Sequence, residues 1–134
     1  ATAGFGEAIA RRAVAEGAYV IGTGRRAERL NALADELGGH FLPLHLDVRD
    51  GDAMRLAAAT LPRDFANVTV LVNNAGLALG LTPLEALTPE EYQQMVDTNI
   101  TGTLHATHAV LPGMIARGRG HIINLGSIAG NYPY

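Results

Sequence analysis

Apolar residues follow two alternating spacings along the chain. In some segments they recur every three or four positions, which is the period of a helix with one buried face. Between these segments lie short apolar runs, which are typical of strands buried on both faces. The pattern predicts helices over 7–16, 25–39, 51–61 and 89–117, and strands over 18–22, 40–48, 68–76 and 121–127.

Two prolines qualify these predicted elements. Pro112 falls inside the long last helix, where a residue without a backbone N–H can interrupt the hydrogen bonding, so we expect a break near it. Pro43 falls inside the second predicted strand. Because proline cannot donate to a strand ladder, that strand should lie at an edge of the sheet.

The alternation of strands and helices predicts an α/β fold. Strands joined by helical crossovers lie parallel, with helices on both faces of the sheet. In the doubly wound Rossmann version of this fold the strand order is 3-2-1-4-5-6. Assigning the predicted strands to positions two to five puts Pro43 on an edge and leaves the central first strand unassigned. We therefore expect residues 1–134 to be a single partial Rossmann domain, truncated at both ends, that lacks its first strand and its C-terminal part.

Composition narrows the class of protein. Hydrophobic residues make up 48% of the 134, which is enough for a buried core. The net charge of −3 gives no basis for binding nucleic acid or a membrane surface, and no apolar run is long enough to cross a bilayer. The absence of cysteine excludes disulfides and thiolate metal sites, and it fits a cytoplasmic protein.

The chain opens with a glycine-containing turn before the first predicted helix. Two glycines bracket Phe5, so backbone N–H groups at the helix N-terminus can approach a phosphate there. Small residues between a strand and a helix are common, however. A turn that only packs the helix against the sheet therefore stays open as an alternative.

A basic pair follows the first predicted strand. Dinucleotide-binding folds use an acidic residue at this place to bind the adenosine ribose, but here Gly24 precedes Arg25 and Arg26. Guanidinium groups suit a 2′-phosphate, which favours NADP over NAD. The alternative is a solvated basic pair at a helix start, although a positive charge there opposes the helix dipole.

Five short motifs then occur in order along the whole chain: GFG near its start, LDV at 46–48, NNAG at 73–76, DTNITG at 97–102 and GHIINLGSIAG at 120–130. With these motifs in this order, the sequence resembles the short-chain dehydrogenase/reductase family. The segments ATAGFGE, TGRR, LVNNAGLALG and AVLPGM are similar to those of NADP-dependent 3-hydroxy-acid dehydrogenases. That group is also described as malonic semialdehyde reductases or as serine and allo-threonine dehydrogenases.

The resemblance implies an NADP-dependent oxidoreductase that interconverts a hydroxyl and a carbonyl on a small polar molecule, here a 3-hydroxy acid. It also implies a homo-oligomer, commonly a tetramer or dimer built through the long helix. Two alternatives stay open. One is a relative acting on another alcohol or ketone, such as a 3-oxoacyl thioester or a steroid, and the other is a non-catalytic NADP-binding protein.

The resemblance further implies which residues contact the cofactor. The opening turn matches the latter part of the family's T-G-x-x-x-G-x-G turn. The LDV motif supplies a carboxylate that can accept from the exocyclic amine of adenine, and the NNAG turn lies beside the cofactor ribose. With the basic pair included, the expected cofactor-binding residues are Thr2, Ala3, Gly4, Phe5, Gly6, Arg25, Arg26, Asp47, Val48, Asn74, Ala75 and Gly76.

Two further matches concern catalysis. Asn99 matches the helix asparagine with which the family holds a proton-relay water, and Ser127 matches the serine that hydrogen-bonds the substrate oxygen. Ser127 also follows an apolar strand, and ligands bind at the carboxyl ends of strands in open parallel sheets. The alternatives are a serine that caps nearby backbone and an asparagine on the helix surface.

The family's proton donor has no match in this chain. Hydride transfer to a carbonyl needs a proton for the developing alkoxide, and the family uses a tyrosine with a lysine one helical turn later. All ten basic residues here are arginine, and Tyr132 and Tyr134 follow Ser127 too closely, so we expect the pair beyond residue 134. His105 and His108 are interpreted as packing or surface residues, and no metal site is expected.

Overall fold

The structure, a computed structural model, describes residues 2–79 and 83–130 of the chain. A π-helical segment, Asp97–Thr101, joins its last two α-helices. In chain order the helices and strands are α1 (Gly4–Ala15), β1 (Val20–Gly24), α2 (Ala27–Leu37), β2 (Phe41–His45), α3 (Gly51–Ala59), β3 (Val70–Asn73), α4 (Pro89–Val96), α5 (Gly102–Ala116) and β4 (His121–Asn124).

The strands form two parallel pairs. β1 pairs with β2, with Gly24 opposite His45, and β3 pairs with β4, with Asn73 opposite Asn124. These are the neighbours expected if β1 to β4 are the second to fifth strands of the Rossmann order 3-2-1-4-5. In that order the first strand of the fold lies between β1 and β3. Within the described residues no strand pairs with both β1 and β3.

Helices cover both faces of the β1–β2 pair. Phe41 is buried in a cluster with Leu30 and Leu33 of α2 and with Ala10 of α1. Because successive side chains of a strand point to opposite faces, Leu42 lies on the other side of β2 from Phe41. Leu42 lines a groove with residues of α3. The prediction of a parallel sheet with helices on both faces is therefore confirmed.

Side-chain caps explain where two helices begin. The carboxylate of Asp50 accepts a hydrogen bond from the backbone N–H of Ala53, 2.9 Å away, at the start of α3. α4 begins with a capping box, in which the Thr88 hydroxyl accepts from the Glu91 N–H and the Glu91 carboxylate accepts from the Thr88 N–H. Such caps satisfy N–H groups that have no partner within the helix.

The long helix is interrupted at a different place from the one we expect. The predicted break near Pro112 is wrong, because Pro112 lies within α5 and the helix continues to Ala116. Pro112 is exposed, while Ala106 and Met114 of the same helix are buried, so packing maintains the helix despite one lost hydrogen bond. The interruption is the π-helical segment Asp97–Thr101. No helix of the described residues is both long and apolar enough to span a bilayer.

Candidate functional site

Four groups of the expected site residues follow the carboxyl ends of strands. In each parallel pair the two strands end in register, so the segments that follow them lie together at the carboxyl ends of the strands. Open α/β sheets bind ligands outside these carboxyl ends. The basic pair at 25–26 follows β1, the LDV segment at 46–48 follows β2, the turn at 74–76 follows β3, and Ser127 follows β4.

The structure brings the opening turn and the basic pair together. Nε and Nη2 of Arg26 donate hydrogen bonds to Oγ1 of Thr2 over 3.2 and 2.9 Å. The methyl group of Thr2 lies against Gly24, where an added Cβ would be 2.9 Å from it. An acidic side chain at Gly24, the position that usually carries one, would therefore fit only if the methyl group of Thr2 moved.

The first turn of α1 is open. Gly4 has a φ of +59°, a conformation that glycine adopts far more easily than other residues, and no atom lies within 4 Å of the place where its Cβ would be. The N-cap residue Ala3 makes no side-chain cap. Gly6 is buried, and Phe5 is 77% exposed. The start of α1 is therefore free of a side-chain cap and borders open space at Gly4, where a phosphate has room to approach the helix N-terminus.

The other arginine of the pair, Arg25, is held through its backbone. His45 Nε2 lies 2.8 Å from the Arg25 carbonyl oxygen, and since a carbonyl only accepts, Nε2 is the donor. The side chain of Arg25 is exposed. The basic pair thus has one guanidinium engaged by Thr2 and one that faces solvent.

Arg49 orients the carboxylate of Asp47. Nη2 of Arg49 lies 2.6 Å from Oδ2 of Asp47, and the backbone N–H of Arg49 donates to Oδ1 over 3.0 Å. These hydrogen bonds lower the pKa of Asp47 below its ordinary value, with a smaller contribution from the charge of Arg25. Asp47 is therefore an ionised acceptor beside the basic pair. The next residue, Val48, packs its side chain against Gly102 of α5.

The side chain of Asn99, in the π-helical segment, contacts the turn that follows β3. Its Oδ1 accepts from the N–H of Leu77 over 2.9 Å, and its Nδ2 donates to the Leu77 carbonyl over 2.8 Å. A Cβ added at Gly76 would lie 3.5 Å from the same Oδ1. A side-chain amide has a further lone pair and a further hydrogen, so these contacts leave it capacity for another partner. Asn74 is half-buried and Ala75 is exposed in this turn.

Two asparagines join the ends of β3 and β4. Nδ2 of Asn73 donates to Oδ1 of Asn124 over 2.8 Å and lies 3.2 Å from Oγ1 of Thr107, which belongs to α5. Ser127 is exposed three residues after β4, and its carbonyl accepts from the N–H of Gly130. Tyr132 and Tyr134 lie outside the described residues.

Some of these partners escaped the sequence analysis. Arg49 stands two residues after Asp47, and this short spacing of opposite charges is a signal that could have identified the pair. His45 and Thr107 carry no local signal, because their partners are 20 and 34 residues away along the chain. No group of three or more potential metal-ligating side chains occurs among residues 2–79 and 83–130.

The comparisons with known proteins identify the family. A family model described as short chain dehydrogenase matches residues 1–134. The chain belongs to the short chain dehydrogenase family. The resemblance carried by its five motifs is therefore confirmed. Within this family the described elements form the expected α/β fold, with parallel strands and helices on both faces.

Relatives in the short chain dehydrogenase family include two curated bacterial enzymes. The chain is 57% identical over 134 residues to an NADP-dependent 3-hydroxy acid dehydrogenase of Salmonella typhi. This match covers 100% of this chain and 54% of the relative. The chain is 54% identical to a serine 3-dehydrogenase of Agrobacterium fabrum, of which it covers 53%. The chain thus spans about half the length of these curated relatives.

Solved structures of family members superpose closely on the described fold. The crystal structure of serine dehydrogenase from Escherichia coli matches with a TM-score of 0.96 at 52% identity, over 99% of this chain and 62% of that one. A closed form of serine dehydrogenase complexed with NADP+ matches with a TM-score of 0.97 at 52% identity, over 99% of this chain and 54% of that one.

Proposed function

We propose that the protein containing this chain is an NADP-dependent oxidoreductase that interconverts a hydroxyl and a carbonyl on a small polar substrate, and that the substrate class is a 3-hydroxy acid. The observation that carries the proposal is the contact between Arg26 and Thr2, which holds a guanidinium beside the opening turn. The names of the relatives at 57% and 54% identity support both the cofactor and the substrate class.

The described residues suit a dinucleotide with a 2′-phosphate. The open first turn of α1 would take the pyrophosphate, because unpaired N–H groups and the helix dipole favour an anion. Arg25 and Arg26 would bind the 2′-phosphate, and Asp47 would accept from the adenine amine. Asn74, Ala75 and Gly76 would lie beside the nicotinamide ribose. Bound in this way, the cofactor supplies or accepts a hydride at its nicotinamide ring.

The chain's own residues would then bind and orient the substrate. The hydroxyl of Ser127 is proposed to hydrogen-bond the substrate oxygen whose charge changes during reaction. Asn99 is proposed to hold a water for proton relay while its amide secures the turn at Leu77. The proton donor is proposed to be the family's tyrosine, with its lysine, in the part of the protein beyond residue 134.

Steady-state kinetics on the full-length protein test this proposal. We expect oxidation of 3-hydroxypropionate, L-serine or L-allo-threonine with NADP+, and at least tenfold lower kcat/KM with NAD+. Turnover of a steroid or a 3-oxoacyl thioester but of none of these acids would favour the alternative of a relative that acts on another alcohol or ketone. Tight NADP+ binding without any turnover would favour a non-catalytic protein. A preference for NAD+ would contradict the assignment of the basic pair.

We also propose that the protein is a homo-oligomer assembled through the α4–α5 helix. Exposed apolar side chains recur every fourth residue along this helix, at Tyr92, Val96, Ile100 and Leu104, and the exposed Ile115 follows about three turns later. A second copy of the same surface would bury them. Light scattering on the full-length protein should show a dimer or tetramer that Leu104→Glu dissociates. Leu56→Glu on α3, at an equally exposed position, is the control and should leave the assembly intact.

A cytoplasmic location of the protein stays a prediction.

A further inference from the structure

The loop between β2 and α3 is held by helix α5. Nδ1 of His105 lies 3.2 Å from the backbone carbonyl oxygen of Val48. A carbonyl oxygen only accepts, so Nδ1 must carry a hydrogen and donate it. The contact joins residues 57 apart in the chain and reaches the residue directly after Asp47.

Two glycines allow this close approach. Gly102 lies one turn before His105, and a Cβ there would be 2.7 Å from Cγ2 of Val48. A Cβ at Gly51, the first residue of α3, would be 2.8 Å from both Cδ2 and Nε2 of His105. The His105 ring therefore lies directly on the backbone of Gly51, and the helix backbone lies directly on Val48. Packing on both sides fixes the direction in which Nδ1 donates.

The same part of α5 faces the charged pair beside the loop. Asp47, Arg49, Asp97 and His105 line one open cleft. The charge of Asp97, the first residue of the π-helical segment, adds to the effect of Asp47 in raising the pKa of Arg49. The first turn of α5 thus contacts the loop that carries Asp47, and the start of the π-helical segment acts on this loop through the charge of Asp97.

We propose that His105 is a positioning residue for the adenine end of the cofactor site. By donating Nδ1–H to the Val48 carbonyl, it holds the backbone of the Asp47–Val48 pair at the position at which Asp47 can accept from the adenine amine. This inference rests on the proposed function, because it needs the cofactor to lie along this loop.

Three substitutions at His105 in the full-length protein separate the hydrogen bond from packing. Asn places an amide N–H where Nδ1 stands in histidine, Gln places it one bond farther out, and Leu removes it. We expect His105→Gln and His105→Leu to weaken binding of adenosine 2′,5′-bisphosphate and NADP+ by roughly three- to tenfold, the effect of one hydrogen bond. His105→Asn should retain affinity within about twofold, and kcat at saturating cofactor should change little in all three.

A matched control lies on the same helix. His108→Leu, at an exposed position three residues later, should bind both ligands like the wild type. Unchanged affinity in the Gln and Leu variants, or equal losses in Asn and Gln that follow a common fall in melting temperature, would overturn the role of His105. If the wild-type protein itself binds neither adenosine 2′,5′-bisphosphate nor NADP+, the proposed function is wrong and this inference falls with it.

Discussion

The side-chain amide of Asn99 makes two hydrogen bonds to a single residue, Leu77. Its Oδ1 accepts from the Leu77 N–H over 2.9 Å, and its Nδ2 donates to the Leu77 carbonyl over 2.8 Å. Leu77 directly follows the NNAG turn, and Asn99 lies in the π-helical segment Asp97–Thr101. Short π-helical segments inside α-helices are frequent at functional sites. Here the segment carries the residue that secures the turn expected beside the cofactor ribose.

Loss of this amide should loosen the turn. Asn99→Ala removes both hydrogen bonds, and Asn99→Asp keeps the acceptor but sets a second oxygen against the Leu77 carbonyl. We expect each variant to lower the free energy of unfolding by about 1–2 kcal/mol in urea titrations and to lower kcat in the full-length enzyme.

The exposed Asn67 provides the matched control for these changes. Asn67→Ala and Asn67→Asp should leave stability within about 0.5 kcal/mol of the wild type. If the Asn99 variants were as stable and as active as the Asn67 variants, the hydrogen bonds to Leu77 would have no role in the site.

The Asp47–Arg49 pair should make stability depend on pH. Arg49 lowers the native-state pKa of Asp47 from its ordinary value of 3.8. The resulting stabilisation is fully present above the unfolded-state pKa and is lost as pH falls through the lowered native value. Arg49→Gln should therefore be less stable than the wild type near pH 6, and the difference in melting temperature should shrink as pH falls below about 4.

Arg55→Gln is the control for this pH series. It breaks a pair between Arg55 and Asp52, in which the Asp52 side chain is 91% exposed. We expect it to change the melting temperature less than Arg49→Gln does near pH 6. A difference between wild type and Arg49→Gln that stays constant from pH 7 to pH 3 would argue against an ionic interaction at Asp47.

The basic pair should determine the choice of cofactor. In the full-length protein Arg25→Asp should lower kcat/KM for NADP+ by about ten- to a hundredfold, since it replaces the cation proposed to bind the 2′-phosphate with an anion. The same change should leave kcat/KM for NAD+ unchanged or raise it. Arg29→Asp, an exposed change of the same kind on α2, is the control. Unaltered NADP+ selectivity in Arg25→Asp would exclude a phosphate role for Arg25.

The close contact of Gly24 with Thr2 leads to a second test of cofactor choice. An aspartate at position 24 would suit the ribose hydroxyls of NAD, but the methyl group of Thr2 blocks it. Gly24→Asp alone should therefore reduce binding of both cofactors. Combined with Thr2→Ser, which removes that methyl group, it should bind NAD+ better than the single variant does. Equal NAD+ affinity in the single and double variants would show that Thr2 is no obstacle.

Local spacing was sufficient to predict the class of fold. The helices lie where apolar residues recur every three or four positions, and the strands where short apolar runs occur. The last three predicted strands were too long, however, and the first was placed two residues too early. The run at 40–48 yields β2 only over Phe41–His45, because the partner strand β1 ends at Gly24 and the ladder ends with it. Strand ends thus depend on a partner that local pattern does not reveal.

The internal contacts of the site were beyond the reach of local pattern for the same reason. Thr2 and Arg26 are 24 residues apart, and Asn99 and Leu77 are 22 apart. The motifs predicted a set of site residues but gave no sign of which of these residues contact one another. The π-helical segment was not predicted either. Gly102, the residue that follows it, packs on Val48, which comes from a distant part of the chain.

The asparagine pair at the ends of β3 and β4 should couple the two strands. Asn73 donates to Asn124 over 2.8 Å, and its second contact is to Thr107 on α5. In a double-mutant cycle, Asn73→Ala and Asn124→Ala should show a coupling free energy of about 0.5–1.5 kcal/mol in urea unfolding. Asn73→Ala combined with Asn31→Ala on the exposed surface of α2 should be additive.

The same pair should also affect activity, because β4 leads to Ser127. Asn124→Ala frees the end of β4, so kcat should fall in the full-length enzyme. Thr107→Val, which keeps the side-chain volume and removes only the weaker 3.2 Å contact, should lower kcat less. If Thr107→Val proved the more damaging change, helix α5 rather than the strand-to-strand hydrogen bond would be what positions the end of β4.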